Sequence, residues 1–402
     1  MKWIIFLSSF LFTCRVDAEF NLTDALFRSY YGLKQRNIYD YDLHLVHRPF
    51  SEFPDDIVSE GVGYGLLTSL YMDDHETFDA LFSNAEYHMW NGQYYDWHID
   101  REGNLLDRGG ALDAEEDIAL SLIFAVRKMQ KKEWPDDRLI PYQTRAQQIL
   151  DHLWTVRMIT QDGNLCPGNN WGCDQFVNPS YFAPAWYKIY ARFDTSGHDW
   201  VRVIDKNYQL VEGSPGYDNG LVPDWVSVNG GFMDNTALGY NAYGGGRYFY
   251  KDAIRTLLRI GLDYLWFGDE RAKKYLVNAK DFIMRKGGAP MANFFTIAPD
   301  ASLLPEDDVW IFDNGQRLRT RREHSHMTIA MWAVPIYLVG SESEKLSFKD
   351  ELSTFYEIGA SYWGKTLDPI HQEDIQHNEM YFDQFLTIFG ALIMDDRFIN
   401  LE

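Results

Sequence analysis

Apolar residues recur along most of this chain three and four positions apart, and strand-like alternation is scarce. The spacing predicts amphipathic helices over about 22–36, 60–71, 75–90, 114–131, 142–155, 180–192, 199–211, 251–265, 270–285, 325–338, 347–362 and 380–392. Ser59, Asp113 and Asp269 stand where helix N-caps belong, because a short polar side chain there can accept an orphan backbone N–H. Between 213 and 250 the chain turns rich in Gly, Asn and Tyr and reads as a long loop, most plainly at Asn241–Arg247. Pro/Ser-rich linkers and low-complexity tracts are missing from 19–402, so that stretch is read as one domain. A dozen helices with little strand make an all-α chain. The number fits an α/α toroid, six inner helices ringed by six outer ones.

The first eighteen residues break the pattern. Lys2 precedes an apolar run from Trp3 to Phe12, broken by Ser8 and Ser9, and Val16-Asp17-Ala18 supplies a short-residue cleavage site. Residues 1–18 are therefore expected to be a secretory signal cut after Ala18, not a structural helix. Phe12 and Thr13 ahead of Cys14 are not the small pair of a lipoprotein signal. Beyond that leader no run reaches the ~18 apolar residues of a membrane span. In an oxidising compartment Cys166 and Cys173, which flank a turn-rich loop, are expected to form a disulfide. Two free thiols are the alternative, and no second Cys/His pair is near enough in sequence to make a zinc site. Asn21-Leu22-Thr23 is formally a glycosylation sequon.

A formal charge of −22 argues against a partner that is a polyanion, nucleic acid above all. The 13 Trp, 25 Tyr and 26 Phe exceed what a core of this size needs, so some should form surfaces that stack on ring-shaped ligands. Trp90, Trp97, Trp171, Trp225 and Tyr243 sit in predicted loops or at helix ends and are candidates, with core packing an equal possibility for each.

Three acidic constellations carry candidate chemistry. In Ser59-Glu60-Gly61-Val62-Gly63-Tyr64-Gly65, glycines let either a neighbouring backbone or a ligand approach closely. A glutamate there beside Tyr64 can be desolvated, which raises a carboxyl pKa toward what a general acid needs; a glutamate that merely favours the helix dipole is the plainer reading. In Ala111-Leu112-Asp113-Ala114-Glu115-Glu116-Asp117, Asp113 and Asp117 share a helix face. A solvated acidic first turn accounts for Glu115 and Glu116, whereas Asp117 leads into a segment too apolar to be exposed. In Lys251-Asp252-Ala253-Ile254-Arg255, an arginine three positions on should orient Asp252 and hold it ionised. An acid with a raised pKa and a base with a lowered one would be the split pair of glycosidic cleavage. His324 and His326 are two apart and do not share a helix face, so no metal is assigned to them.

These residues match a known family. Ser-Glu-Gly-x-x-Tyr-Gly at 59–65 resembles the general-acid block of family 8 glycoside hydrolases, and Ala-x-Asp-Ala-x-x-Asp-Ile-Ala at 111–119 resembles their signature. Asn178–Tyr187, Leu221-Val222-Pro223-Asp224-Trp225, Asp252–Trp266 and Tyr381–Leu392 are similar to further blocks, in the family's order and across nearly the whole chain after the leader. The resemblance implies an (α/α)6 barrel that hydrolyses a β-1,4-glycan with inversion and needs no cofactor. Carried over by position, Glu60 would be the proton donor and Asp252 the general base. Asp113 would hold the sugar at the cleavage subsite, Arg255 would orient Asp252, Tyr181 would touch the attacking water, and Tyr381 would line the same subsite. Tyr64 and Trp225 would face substrate.

Leu112 and Glu115 depart from the family's wording, Glu115-Glu116 drifting toward that of its xylan-cleaving members. Among substrates, cellulose or mixed-linkage β-glucan is favoured, with xylan and chitosan as alternatives. A secreted monomeric endoglucanase is the expectation. A polysaccharide lyase on the same toroid would need a Tyr, His or Lys base and a cation against a uronate. A non-catalytic glycan binder would ordinarily have lost one of the two carboxylates.

Overall fold

The computed structural model describes residues 20–49, 51, 53–169, 171–233, 246–297, 301–302, 310–313, 316–319, 324–357, 361–364 and 381–402. The leader and Tyr243 lie outside them. Twelve α-helices are found among the described residues: α1 (Leu22–Lys34), α2 (Ser59–Tyr71), α3 (His75–His88), α4 (Leu112–Gln130), α5 (Leu139–Thr155), α6 (Pro184–Phe193), α7 (Trp200–Gly213), α8 (Arg255–Phe267), α9 (Glu270–Lys286), α10 (His326–Val339), α11 (Glu342–Ser353) and α12 (Tyr381–Met394).

Each predicted helix has a counterpart, and the displaced boundaries have local causes. Helix α6 starts at Pro184, since proline suits a first helical turn, while Pro179–Tyr181 forms a 3-10 turn. The stretch predicted over 347–362 shifts toward the N-terminus. A capping box between Ser341 and Glu344 starts α11 at Glu342, and beyond Ser353 the chain pairs Tyr356–Glu357 antiparallel with Tyr362–Trp363. Aromatic side chains there fit a pleated ribbon better than a helix. Of the three expected N-caps only Asp269 serves, accepting the Arg271 N–H. Val58 and Ala111 occupy the cap positions of α2 and α4, which carries Ser59 and Asp113 into the helices. The sequon residue Asn21 caps α1 by accepting the Asp24 N–H at 3.0 Å.

The even-numbered helices pack in sequence, α2 on α4, α4 on α6, α6 on α8, α8 on α10, α10 on α12 and α12 back on α2. That closed ring is the inner layer of an (α/α)6 barrel. Helices α3, α5, α7, α9 and α11 pack on the inner helix that precedes each, and α1 packs on α12. The sequence sorts them. All fourteen residues of α12 and His326–Ile336 of α10 are buried, as expected of helices enclosed on every side. Outer helix α7 instead buries Trp200, Val203, Ile204, Asn207, Tyr208, Leu210 and Val211, a single stripe.

Small residues set the inner spacing. A Cβ on Gly63 of α2 would lie 2.8 Å from the Asp117 Cβ of α4, and one on Gly390 of α12 would lie 2.6 Å from the Ala330 carbonyl oxygen of α10. The glycines of 61–65 thus admit neighbouring protein, not ligand. A continuous apolar core runs from Leu22 to Phe398. A small antiparallel sheet, β1 (His47–Arg48) to β2 (Asp56–Val58) to β3 (His98–Ile99) to β4 (Leu105–Asp107), leads directly into α2, whose Ser59 N–H bonds the Trp97 carbonyl at 2.9 Å. Cys166 and Cys173 are joined as a disulfide. No helix among the described residues is long and apolar enough to cross a membrane.

Candidate active site

The N-terminal ends of four inner helices, α2, α4, α8 and α12, converge. Glu60 is the second residue of α2, Asp113 the second of α4, Arg255 the first of α8 and Tyr381 the first of α12, while Asp252 lies in the turn entering α8. Helix N-termini carry partial positive charge, so this end of the ring favours carboxylates.

Arg255 joins them. Its Nη1 donates to Glu60 Oε2 at 2.6 Å, to Asp113 Oδ2 at 2.8 Å and to the Tyr64 hydroxyl at 3.2 Å, and its Nη2 donates to Asp252 Oδ1 at 2.8 Å. The guanidinium also stands over the rings of Tyr181 and Phe382, 5.2 and 5.7 Å from their centroids. A buried guanidinium is tolerable because its charge is paired and its planar fork meets several acceptors at once. The sequence foresaw Arg255 serving Asp252 alone; it serves three carboxyls. Two carboxyls on the two nitrogens of one guanidinium have contacting oxygens at most about 8 Å apart. The Tyr381 hydroxyl donates to Glu60 Oε1, so both oxygens of this glutamate are engaged.

Electrostatics correct one expectation. Asp252 is not held low by Arg255. Burial pushes its pKa up, against the pull of Arg255, and the nearby Asp113 adds to the rise. Its side chain keeps 35% of its surface, so one face reaches solvent while the rest lies against poorly polarisable protein. Asp113, by contrast, is almost fully enclosed, and burial raises its pKa to about 6 although Arg255 opposes the change. The phenols of Tyr64, Tyr181 and Tyr381 are all pushed up by burial and stay protonated hydroxyls.

One turn deeper, the pairing repeats. Arg259 holds both oxygens of Asp117, with Nη2 to Oδ2 at 2.8 Å, and the Trp186 Nε1 donates to Asp117 Oδ1 at 2.8 Å. Asp113 with Asp117 on α4 thus faces Arg255 with Arg259 on α8, both at four-residue spacing. The expected solvated acidic turn is overturned as well. Glu116 is buried against the Tyr187 hydroxyl, and Glu115 is buried with Oε1 accepting the Tyr95 N–H at 2.7 Å.

Sequence reasoning missed three supports. The spacing match with Asp117 could have exposed Arg259. Asn178 is buried, its Oδ1 accepting both the N–H and the hydroxyl of Ser180, and its side chain helps offset the rise in the Asp252 pKa. Asp224 is buried close to Asp252 and had no signal beyond its Pro-Asp-Trp setting.

The aromatic candidates divide. Trp225 is 8% exposed and packs edge-on against Phe176 and Trp171, and Trp171, on the disulfide loop, is 37% exposed. Trp90 is a packing residue, with the Arg145 guanidinium 3.7 Å from its ring and His152 stacked on the indole. Trp97 leans on His98. His324 and His326 point to different partners, Glu351 and Thr387. Asp151, Asp194 and His198 draw close enough for a cation. Asp194 Oδ2 already accepts from the His198 N–H, the His198 ring and Trp200, so this cluster is a hydrogen-bonded knot.

Residues 48–293 match the family described as glycosyl hydrolases family 8. Endoglucanase A of Acetivibrio thermocellus is 39% identical over 249 residues, 60% of this chain and 49% of that protein. Endoglucanase C of Ruminiclostridium cellulolyticum is 36% identical over 246 residues, 60% of this chain and 50% of its own. The chain therefore spans about half the length of these curated relatives. A solved reducing-end-xylose releasing exo-oligoxylanase shares the fold with a TM-score of 0.69 at 18% identity, covering 94% of this chain and 93% of that one. With residues 48–293, the stretch holding Glu60, Asp113, Asp252 and Arg255, matched to that family, the chain belongs to glycosyl hydrolases family 8.

Proposed function

We propose that this chain is a secreted endo-β-1,4-glycanase that hydrolyses its substrate with inversion at the anomeric carbon. The observation that carries the reading is the Arg255 guanidinium, which gathers Glu60, Asp113 and Asp252 at one end of the ring. Glu60 is the general acid. It hands its proton to the glycosidic oxygen as the bond from that oxygen to the anomeric carbon breaks. Tyr381 suits both protonation states of Glu60, because a hydroxyl can donate or accept. Asp252 is the general base. It takes a proton from a water whose oxygen bonds to the opposite face of the anomeric carbon. Burial raises the proton affinity of Asp252, which strengthens it as a base, while Arg255 fixes its direction. Asp113 holds the sugar whose ring flattens toward the oxocarbenium geometry, and the Tyr181 hydroxyl steadies the attacking water. An inverting pair stands roughly 6.5–9.5 Å apart to admit that water, a range the shared guanidinium permits.

The preferred polymer is cellulose or mixed-linkage β-glucan. Endoglucanases at 36% and 39% identity support that choice over xylan or chitosan. Residues 19–402 act as one catalytic domain and one monomer, with residues 1–18 removed on export. Trp171 offers a stacking face for the polymer, backed by Trp225.

Reducing-sugar release from the four polymers, with Glu60→Gln and Asp252→Asn in parallel, tests the assignment. Both variants are expected to lose kcat on the order of 10³-fold while retaining glycan binding. Either variant at native kcat on every polymer contradicts it.

A further inference from the structure

We propose that Asp224 is a positioning residue for the reaction, suspending the turn that carries Asp252 on its own carboxyl group. The proposal rests on the reading of Asp252 as the base. Asp224 Oδ1 accepts the backbone N–H of Tyr250 at 3.0 Å and that of Ala253 at 2.8 Å, the two donors that bracket Asp252. The Asp224 N–H in turn bonds the Tyr248 carbonyl at 2.9 Å. Three hydrogen bonds thus lace the 221–225 loop to the 248–253 segment. That segment is short and irregular, and the strand with which it begins, Tyr248–Phe249, is two residues long. Arg255 holds the Asp252 side chain, and Asp224 holds the backbone from which that side chain springs.

Asp224 is 4% exposed. Enclosure and the adjacent Asp252 push its pKa well up, against Arg255 and the two backbone donors. One oxygen placed to accept both backbone N–H groups is what the turn requires, and asparagine supplies it. A carboxyl with this placement acts on the base side of the reaction. It should matter equally for substrates that need an acid and for those that do not.

The test uses Asp224→Ala, Asp224→Asn and Asp224→Glu in the full chain, assayed on β-glucan and on a β-cellobiosyl fluoride, whose leaving group needs no proton. Asp224→Ala is expected to lower kcat about 30- to 100-fold on both substrates with KM within about twofold, since a base carried on a loosened turn is displaced from its water. Asp224→Asn should stay within about threefold of native kcat. Glu60→Gln, run beside them, should recover on the fluoride while Asp224→Ala does not. Native kcat in Asp224→Ala, equal losses in Asp224→Ala and Asp224→Asn, or recovery of Asp224→Ala on the fluoride would each overturn the proposal. Where Asp224→Ala does not yield folded protein, Asp224→Glu decides. Its extra methylene should displace the turn and lower kcat at least tenfold at unchanged KM, and native kcat would count against the role. Asp252→Asn retaining native activity would instead remove the underlying reading, so the two failures are separable.

Discussion

A single guanidinium fixes where three carboxyls stand. Arg255 uses Nη1 for Glu60 and Asp113 and Nη2 for Asp252, so a lysine at this place, one flexible point charge, cannot reproduce the arrangement. Arg255→Lys should lower kcat on the order of 10²-fold with native far-ultraviolet dichroism, and native turnover would show that the hub is dispensable. Tyr381→Phe removes the hydroxyl on Glu60 Oε1 and should reduce kcat/KM about tenfold, the size of one hydrogen bond to a charged group. Much of this residue pattern was legible. Glu60, Asp113, Arg255 and Asp252 could be singled out because carboxylates beside glycines, apolar runs or an arginine are conspicuous. Their environment was not. The proton affinity of Asp252 depends on what buries it, and Asp113 reaches it from α4, well over a hundred positions away in sequence. Asp224 was overlooked for the same reason, since its partners are backbone N–H groups of another segment.

Elements decide how close those residues come. The three glycines of 61–65 were equally compatible with a ligand or a protein neighbour, and the neighbours proved to be protein: Val46 and Tyr381 at Gly61, α4 at Gly63, and Leu81 and Val46 at Gly65. Gly63→Ala must push the Asp117 Cβ, and α4 with it, away from α2, so it should destabilise by about 1–3 kcal/mol in urea unfolding. Arg259→Met leaves Asp117 buried without its cation and should cost about 3–5 kcal/mol, most of it recovered when Asp117→Leu is added. A null result in the single variant would contradict the pairing. The helices themselves could be read from apolar spacing, because each outer helix has one wet face. Boundaries were harder. Ser59 and Asp113 look like N-caps in sequence, yet the β2 strand and the 109–111 segment deliver the chain into helix one or two residues earlier. That shift turns Asp113 inward, where it meets Arg255. The α11 boundary failed because Phe355 and Tyr356 continue an apolar rhythm that the backbone no longer follows.

At the scale of the whole molecule, burial of carboxyls sets the response to pH. Glu115 is raised from 4.5 to about 8 and Asp113 from 3.8 to about 6, and Glu116 and Asp224 are raised too. In each case the folded chain keeps a proton that the unfolded chain releases, so stability falls as pH rises through the interval between the two values. Asp56, Asp74, Asp194 and Asp269 are held low by hydrogen bonds and cations, so their stabilisation is present above the usual carboxylate range and is lost as pH falls below it. The melting temperature should therefore be higher near pH 5 than near pH 8 and should drop again below about pH 4. Glu115→Gln keeps an acceptor for the Tyr95 N–H and should flatten the decline between pH 5 and 8. A melting temperature that climbs steadily from pH 5 to 8 would contradict these assignments. The toroid itself was foreseeable from a dozen helices, whereas the closure of α12 onto α2 is a contact between the two ends of the sequence that no local pattern contains.

The most direct check on the chemistry is the configuration of the first new chain end. Proton NMR of a fresh β-glucan digest follows the anomeric proton before mutarotation mixes the forms. Water delivered by Asp252 to the face opposite Glu60 predicts the α anomer first, with the β anomer appearing later. A β anomer released first would mean that no water is attacking from that side.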